Sequence, residues 1–339
     1  GSRTILRQVR RTDLYADGRF EFLDTPVGVP THGSRKMPPE NVAERFVELL
    51  LEEMRARVRF CSNLGLLLSG GMDSRIVAAA LAELQRSGSE FAVTSFTWGQ
   101  AGTRDVVYAE QISRLYGWDF EHFEIDANTL WNNVIEVSEN GCFHSAMHLH
   151  AMPDVADRAA ELGVELMLAG SYGDSMGRAE YSGSHVSSLT PIETRMRNWY
   201  GLIDETLFDE CKDHTLKEIT RCRRLYGDES ELGCAELDLQ LHYMRNMLGS
   251  AMNVIDRRVP LAQAFTSRSL VEFMWSLAPE CRTDEVYLYV LRQLEPALLK
   301  IPWARTGKPF LQPDAKADDL KRSFHDYSKW TRDNLGRLE

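Results

Sequence analysis

The chain lacks any pair of closely spaced cysteines. Its six, Cys61, Cys142, Cys211, Cys222, Cys234 and Cys281, are dispersed, and that pattern suggests neither a zinc ribbon nor an iron–sulfur cluster. They read as the reduced thiols of a cytoplasmic protein. No apolar run approaches the ~18 residues needed to cross a bilayer, and the N-terminus carries no signal-peptide core. A soluble protein without a membrane partner is the expectation. Basic residues are in the minority, 39 against 50 acidic ones, for a net charge of −11. That balance repels a phosphate backbone and argues against a general nucleic-acid binder, so a small anion would need a dedicated site. Proline is scarce at 12 residues beside 23 glycines, and with 43% hydrophobic and 26% charged residues the composition is that of an ordinary globular chain.

At a typical ~150 residues per domain, 339 residues suit two domains or one with a large elaboration. Gly1-Ser2 resembles the scar of a cleaved tag. Asp17-Gly18, between Leu14-Tyr15 and Phe20-Glu-Phe22, signals a hairpin, and Pro26 to Pro39 is a breaker-rich linker. Residues 1–40 are therefore set apart as an N-terminal hairpin and linker, the remnant of a missing domain on one reading. From Asn41 to Val58 apolar residues recur at Ala43, Phe46, Val47, Leu50 and Met54, the spacing of an amphipathic helix.

Leu64 to Leu68 is a short apolar run. Ser69-Gly-Gly-Met-Asp-Ser74 follows, and then a helical period at Ile76, Val77, Ala80, Leu81 and Leu84 closed by Gly88. Strand signals return at Phe91 to Trp98, Asp119 to Ile125 and Glu165 to Ala169. Helical ones return at Val106 to Tyr116 and Pro153 to Leu162. Such alternation predicts an α/β fold with a doubly wound parallel sheet, whose ligands sit at the carboxyl ends of the strands. Ser69–Ser74 and a second glycine-bearing turn, Gly170 to Gly177, both fall at such ends. Beyond Thr190 the chain reads as mostly helical, a layer covering one side of the site.

A buried strand, a glycine turn and a helix N-terminus can present backbone N–H groups and hydroxyls to an anion. No Gly-Lys-Ser/Thr follows, so the loop is not a Walker A motif, and the GxGxxG spacing of a dinucleotide fold is missing. The loop resembles the pyrophosphate loop of the ATP pyrophosphatases (adenine nucleotide alpha hydrolase-like), which cleave ATP between its α and β phosphates. Within that group the chain is most similar to the synthetase domain of asparagine synthetases and their β-lactam synthetase and lasso-peptide cyclase relatives. Four further segments between about Glu40 and Phe310 carry the likeness: Ser95-Phe-Thr-Trp-Gly99, Ala169-Gly-Ser-Tyr-Gly-Asp174, Arg258-Val-Pro260 and Arg305-Thr-Gly-Lys-Pro-Phe310.

The resemblance implies one synthetase domain over residues 41–339, using ATP and Mg²⁺. It implies that Leu67, Ser69, Gly70, Gly71, Asp73, Ser74, Trp98 and Gly170 hold the nucleotide. Asp73 and Asp174 would form the metal pair, and Lys308 would stabilise charge on the activated acyl group, with Asp174, Ser171 and Tyr172 completing the catalytic set. The implied reaction is adenylation of a small-molecule or peptide carboxylate, then attack by ammonia or an amine with loss of AMP and pyrophosphate. Two other readings are a tRNA- or metabolite-modifying pyrophosphatase-loop enzyme, disfavoured by charge and by the missing CxxC, and a degenerate nucleotide-binding regulator.

Three departures from the family pattern bear on the second substrate. Ser171 stands where the family has a glutamate, Gln263 where it has an aspartate, and Leu288 where a lysine is expected. His144 and His148 are one helical turn apart, and with His150 they read as a pocket wall that meets the substrate, or as a weaker metal candidate. About 40 residues before the first helix are too few for a glutaminase domain. Ammonia is expected from solution, a separate glutaminase chain or a removed domain, or else the nucleophile is an amine carried by the substrate, and a homodimer is compatible with the sequence.

Overall fold

The computed structural model describes residues 30 and 32–337, apart from 140–148, 151, 182, 199–200, 202–203 and 227–229. The Asp17-Gly18 hairpin, His144 and His148 lie outside the described residues. The elements run α1 (Pro39–Val58), β1 (Asn63–Leu67), α2 (Met72–Arg86), β2 (Ala92–Trp98), α3 (Arg104–Tyr116), β3 (Asp119–Phe123), α4 (Ala127–Glu139) and α5 (Met152–Glu161). β4 (Leu166–Ala169), α6 (Gly173–Arg178) and a small hairpin of β5 (Glu180–Tyr181) and β6 (Ser184–His185) follow. Then come α7 (Glu205–Tyr226), α8 (Glu231–Asp238), a π-helical stretch (Leu239–Gly249) and α9 (Ser250–Asp256). β7 (Leu261–Gln263), α10 (Arg268–Ser276), α11 (Asp284–Leu294) and α12 (Tyr327–Leu335) complete them.

The main sheet has the order β3-β2-β1-β4-β7, and every neighbouring pair is parallel. Successive connections run outward from β1 to β2 and β3, then return to place β4 on its other side. Between β1 and β4 the winding reverses, and a crevice opens there at the strands' carboxyl ends. Side chains of one strand alternate between two cores. Leu64, Leu66 and Leu68 join α1, α2, α10 and α11 on one face, whereas Leu67, Met167 and Ala169 join α4, α5 and α9 on the other.

Two expectations need correction. The helices beyond Thr190 do not form a layer on one side: α9 packs on α5 in one core, while α10 and α11 pack with α1 in the other. A fifth strand, β7, also lies among them, three residues long and defined by its ladder with β4. In addition, the second half of the proline-rich linker is docked. Gly33 donates its N–H to the Trp275 carbonyl (2.8 Å), and Arg35 accepts from Ala278 (2.9 Å). His32 stacks on Trp275 at 4.2 Å between ring centroids.

Candidate active site

Between β1 and α2 the loop is closed by its own hydroxyls. Ser74 Oγ accepts from the Ser69 N–H and donates to the Ser69 carbonyl (3.1 and 3.2 Å), while Ser69 Oγ accepts from the Gly71 N–H (3.1 Å). Arg75, the next residue, is fully buried. Its guanidinium donates to the carbonyls of Gly70 (3.2 Å), Leu298 (2.9 Å), Ile301 (2.7 Å) and Pro302 (2.8 Å), tying the loop to a segment more than 220 residues on. Burial lowers its pKa to about 9, so it remains charged at neutral pH. Sequence reasoning passed over Arg75. The available signal was a charge on the helix face that also carries Met72 and Ala79, both buried.

The second turn, from β4 into α6, presses on the first without side chains between them. A Cβ on Gly170 would lie 2.9 Å from the Asp73 carbonyl carbon and the Ser74 nitrogen, and one on Gly173 would lie 2.6 Å from the Asp73 Cβ. Only hydrogen at these two positions lets the turns meet. The contact brings Asp73 and Asp174 to one cleft. Burial, and then the charge of Asp73, pushes the Asp174 carboxyl up to about 7 against the opposing pull of Arg178. Asp73 is raised by the same burial, with Arg178 again opposing.

Arg178 bridges the acids of this cleft. It lies 3.4 Å from Asp73 Oδ2 and 2.7 Å from both Glu180 Oε2 and Asp284 Oδ1. Glu180 is held from its other side by Arg305. A further acid, Asp105, accepts from the Gly70 N–H, and burial raises it to about 6. Neither Asp105 nor Arg178 stood out in the sequence, since each lies in a helix among ordinary charged residues.

The cleft has two lobes that share Gly71, Asp73, Asp105, Asp174 and Phe324. One, of about 490 Å³, is apolar at its far end, where Trp98, His150, Leu248, Met252 and Phe324 meet. The other, of about 630 Å³, is polar and reaches Arg178, Glu180, Arg305, Arg322 and His325. Its outer side is a strap, residues 318–327. Asp318 binds Arg104 (2.9 Å) and Tyr108. The Lys321 carbonyl accepts from Arg104 N–H and the Phe324 carbonyl from Gln100 N–H, both at 2.9 Å. Tyr327 stacks on His325 at 3.7 Å and hydrogen-bonds His150. No sequence signal marked this strap, because contacts made across the fold alone hold it in place.

Most of the residues expected at the site lie here. Leu67, Ser69, Gly71, Asp73, Ser74, Trp98, Gly170, Ser171 and Asp174 all line the apolar lobe or its mouth. Gly70 is engaged through its N–H and carbonyl by Asp105 and Arg75. Tyr172 sits behind the turn, its ring packed between two core clusters and its phenol pKa raised by burial. Lys308 is not brought in: its Nζ donates to the Pro313 carbonyl (2.8 Å), and it lines neither lobe. The cause is a tight bend, in which Trp303 and Lys308 pair and Arg305 turns toward the cleft in its place.

A sequence profile of the asparagine synthase family matches residues 45–228, more than half of the 339-residue chain. The chain belongs to the asparagine synthase family. Solved structures that resemble it do so distantly. They include the NMN synthetase of Francisella tularensis (10% identity over 66% of this chain and 94% of that one, TM-score 0.28). A U34-tRNA thiolase from Methanococcus maripaludis matches at 14% identity over 80% and 89% (TM-score 0.31). The NH3-dependent NAD synthetase of Campylobacter jejuni subsp. jejuni matches at 13% over 58% and 99% (TM-score 0.30). No curated protein sequence matches the chain. The asparagine synthase family uses ATP in amide-forming or adenylating synthesis, usually with Mg²⁺. Among the described residues no group of three metal-ligating side chains occurs. Asp73 and Asp174 nevertheless fit a hard cation, since burial raises both carboxyls, the charge of Asp73 raises Asp174 further, and a divalent ion would offset that accumulation of negative charge. No helix among the described residues is long and apolar enough to cross a membrane.

Proposed function

We propose that the protein is an ATP-dependent carbon–nitrogen ligase that adenylates a carboxylate and releases pyrophosphate and then AMP. The observation that carries this reading is the glycine-mediated contact of the two strand-end turns. It sets Asp73 and Asp174 beside a loop of hydroxyls and a helix N-terminus, at the reversal point of the sheet. Adenine suits the apolar lobe, against Trp98 and Phe324, and the phosphates suit the loop. Bound Mg²⁺, on Asp73 and Asp174, would neutralise charge on the phosphate tail.

The residues then divide the work. The loop and the start of α2 orient the tail so that the bond between the α and β phosphates lies in line with an entering carboxylate oxygen. That oxygen bonds to the α phosphorus, the bridging bond breaks, and pyrophosphate leaves with the electron pair. An amine next attacks the acyl carbon, AMP departs, and a proton must be taken from the nitrogen. Ser171 has no carboxylate to accept it, and burial raises the pKa of the Tyr172 phenol, which disfavours the phenolate that could. The amine step is therefore the one for which this chain is least equipped. ATP–pyrophosphate exchange over a panel of small carboxylates, with Mg²⁺, tests the proposal. Exchange dependent on one class of acid supports it, and ADP as the sole nucleotide product removes it. A second reading, a nucleotide-binding regulator, is favoured by the same Ser171 and by the position of Lys308. It requires ATP binding with no exchange for any acid.

A further inference from the structure

Lys308 is turned to a backbone carbonyl and lines neither lobe, so a cation for the end of a phosphate tail has to be one of those that line the polar lobe. Arg178 is committed to three carboxylates, those of Asp73, Glu180 and Asp284. Arg305 is committed to Glu180. His325 is stacked on Tyr327, and its burial lowers the pKa further below the neutral range, so it carries little charge at pH 7. Arg322 differs. It lines the same lobe, yet no hydrogen bond or ion pair engages its side chain among the described residues.

Its backbone is nevertheless fixed. Lys321, just before it, accepts from Arg104, and Phe324, two residues after it, accepts from Gln100, each at 2.9 Å. The strap thus presents an uncommitted guanidinium at a set point above four acids, Asp73, Asp105, Asp174 and Glu180. A polyanion entering among four carboxylates needs a cation that is not already neutralised, and a guanidinium offers a fork of donors matched to phosphate oxygens.

We infer that Arg322, delivered by the strap, receives the terminal phosphates of the nucleotide and neutralises their charge. The inference rests on the nucleotide reading above, and the experiment separates the two. Binding of AMP, ADP and ATP to the whole chain is measured by titration calorimetry at fixed Mg²⁺ and at two salt concentrations. In the unaltered protein affinity is expected to rise with each added phosphate. Arg322→Ala is expected to weaken ATP by about 10- to 100-fold, the value of charge-assisted hydrogen bonds, with AMP affinity held within about twofold and the salt dependence of ATP binding reduced. Arg322→Lys should recover part of the loss, as a point charge lacks the fork. An unchanged ratio of ATP to AMP affinity in Arg322→Ala overturns the assignment, as does an equal loss for AMP, which would mark a structural role. A larger loss of ATP affinity in Lys308→Ala than in Arg322→Ala overturns it too. If the unaltered protein does not distinguish ATP from AMP, the nucleotide reading itself falls, and the role of Arg322 with it.

Discussion

The wall made by the two strand-end turns and the wall made by residues 318–327 face the same cleft but are held in different ways. The turns grow out of β1 and β4, touch through Gly170 and Gly173, and are fastened from behind by the buried Arg75. The strap has no regular structure before α12. It rests on the Asp318 contacts, backbone hydrogen bonds to Gln100, Arg104 and Gly307, a stack of imidazole and phenol rings, and the packing of Phe324 and Tyr327 against the edge of one core. Position on the first wall is a property of the core, whereas on the second it depends on hydrogen bonds and ring contacts between an irregular segment and residues distant in the chain. The first suits groups that must not move, such as a pair of metal-binding carboxylates. The second suits groups that must let a ligand in and out.

The largest effect expected is at the first wall. Asp73→Ala should lower Mg²⁺-dependent pyrophosphate release by ~10²–10³-fold or more, the lower bound being the loss seen when one preorganised group is removed from a developing charge. The variant should still fold, because a carboxylate facing a cleft supports little packing. Pyrophosphate release at the original rate would take Asp73 out of the mechanism.

Next is the pH response of the ligand-free protein. Asp174, at about 7, and Asp105, at about 6, both sit above the ordinary aspartate value of 3.8. The folded state therefore binds more protons than the unfolded state between these values, and stability is lost as pH rises from about 4 to about 7. Asp174→Asn removes the larger share. Denaturant titrations should find it more stable than the original chain above pH 7, by an amount on the order of a few kcal/mol, with the difference vanishing toward pH 4. A difference that grows toward low pH would contradict the assigned repulsion.

Gly170→Ala tests whether the turns need their close contact. A methyl group 2.9 Å from the Asp73 and Ser74 backbone must push them apart, at a cost of about 1–3 kcal/mol, with nucleotide affinity falling alongside. Full stability would show that the second turn yields freely.

The smallest effect belongs to the strap. Tyr108→Phe deletes the phenol that binds Asp318 and should cost about 1 kcal/mol. Amide exchange at Gln100 and Arg104, which bond the strap, should quicken while that of Leu66 and Leu68 stays slow. Uniform acceleration would erase the distinction between the walls.

The same distinction explains what the sequence made legible. Leu64–Leu68, the glycine turn and the period of α2 are written contiguously, and their strand, loop and helix follow from local pattern alone. The equivalent turn at Gly170 was readable for the same reason. β7 was not, because three residues carry no alternation and Leu261 becomes part of a strand only by pairing with Met167. The strap was illegible for a related cause: Asp318, Phe324 and Tyr327 acquire their places from Tyr108, Gln100 and His150, between 177 and 224 positions away. Lys308 shows the limit from the other direction, since a correct residue type in a matching stretch was carried elsewhere by the bend at Trp303.

Arg75 and the hydroxyls of Ser69 and Ser74 have a consequence for how a nucleotide would be captured. Three of the loop's N–H groups, those of Ser69, Gly70 and Gly71, already have acceptors, two hydroxyls and the Asp105 carboxyl, in a backbone that four carbonyl contacts of one guanidinium help to fix. The conformational entropy of these residues, about 1–2 kcal/mol each, is given up when the chain folds. An arriving phosphate then has acceptors to displace but no chain to order, and its association is governed by the exchange of one oxygen for another.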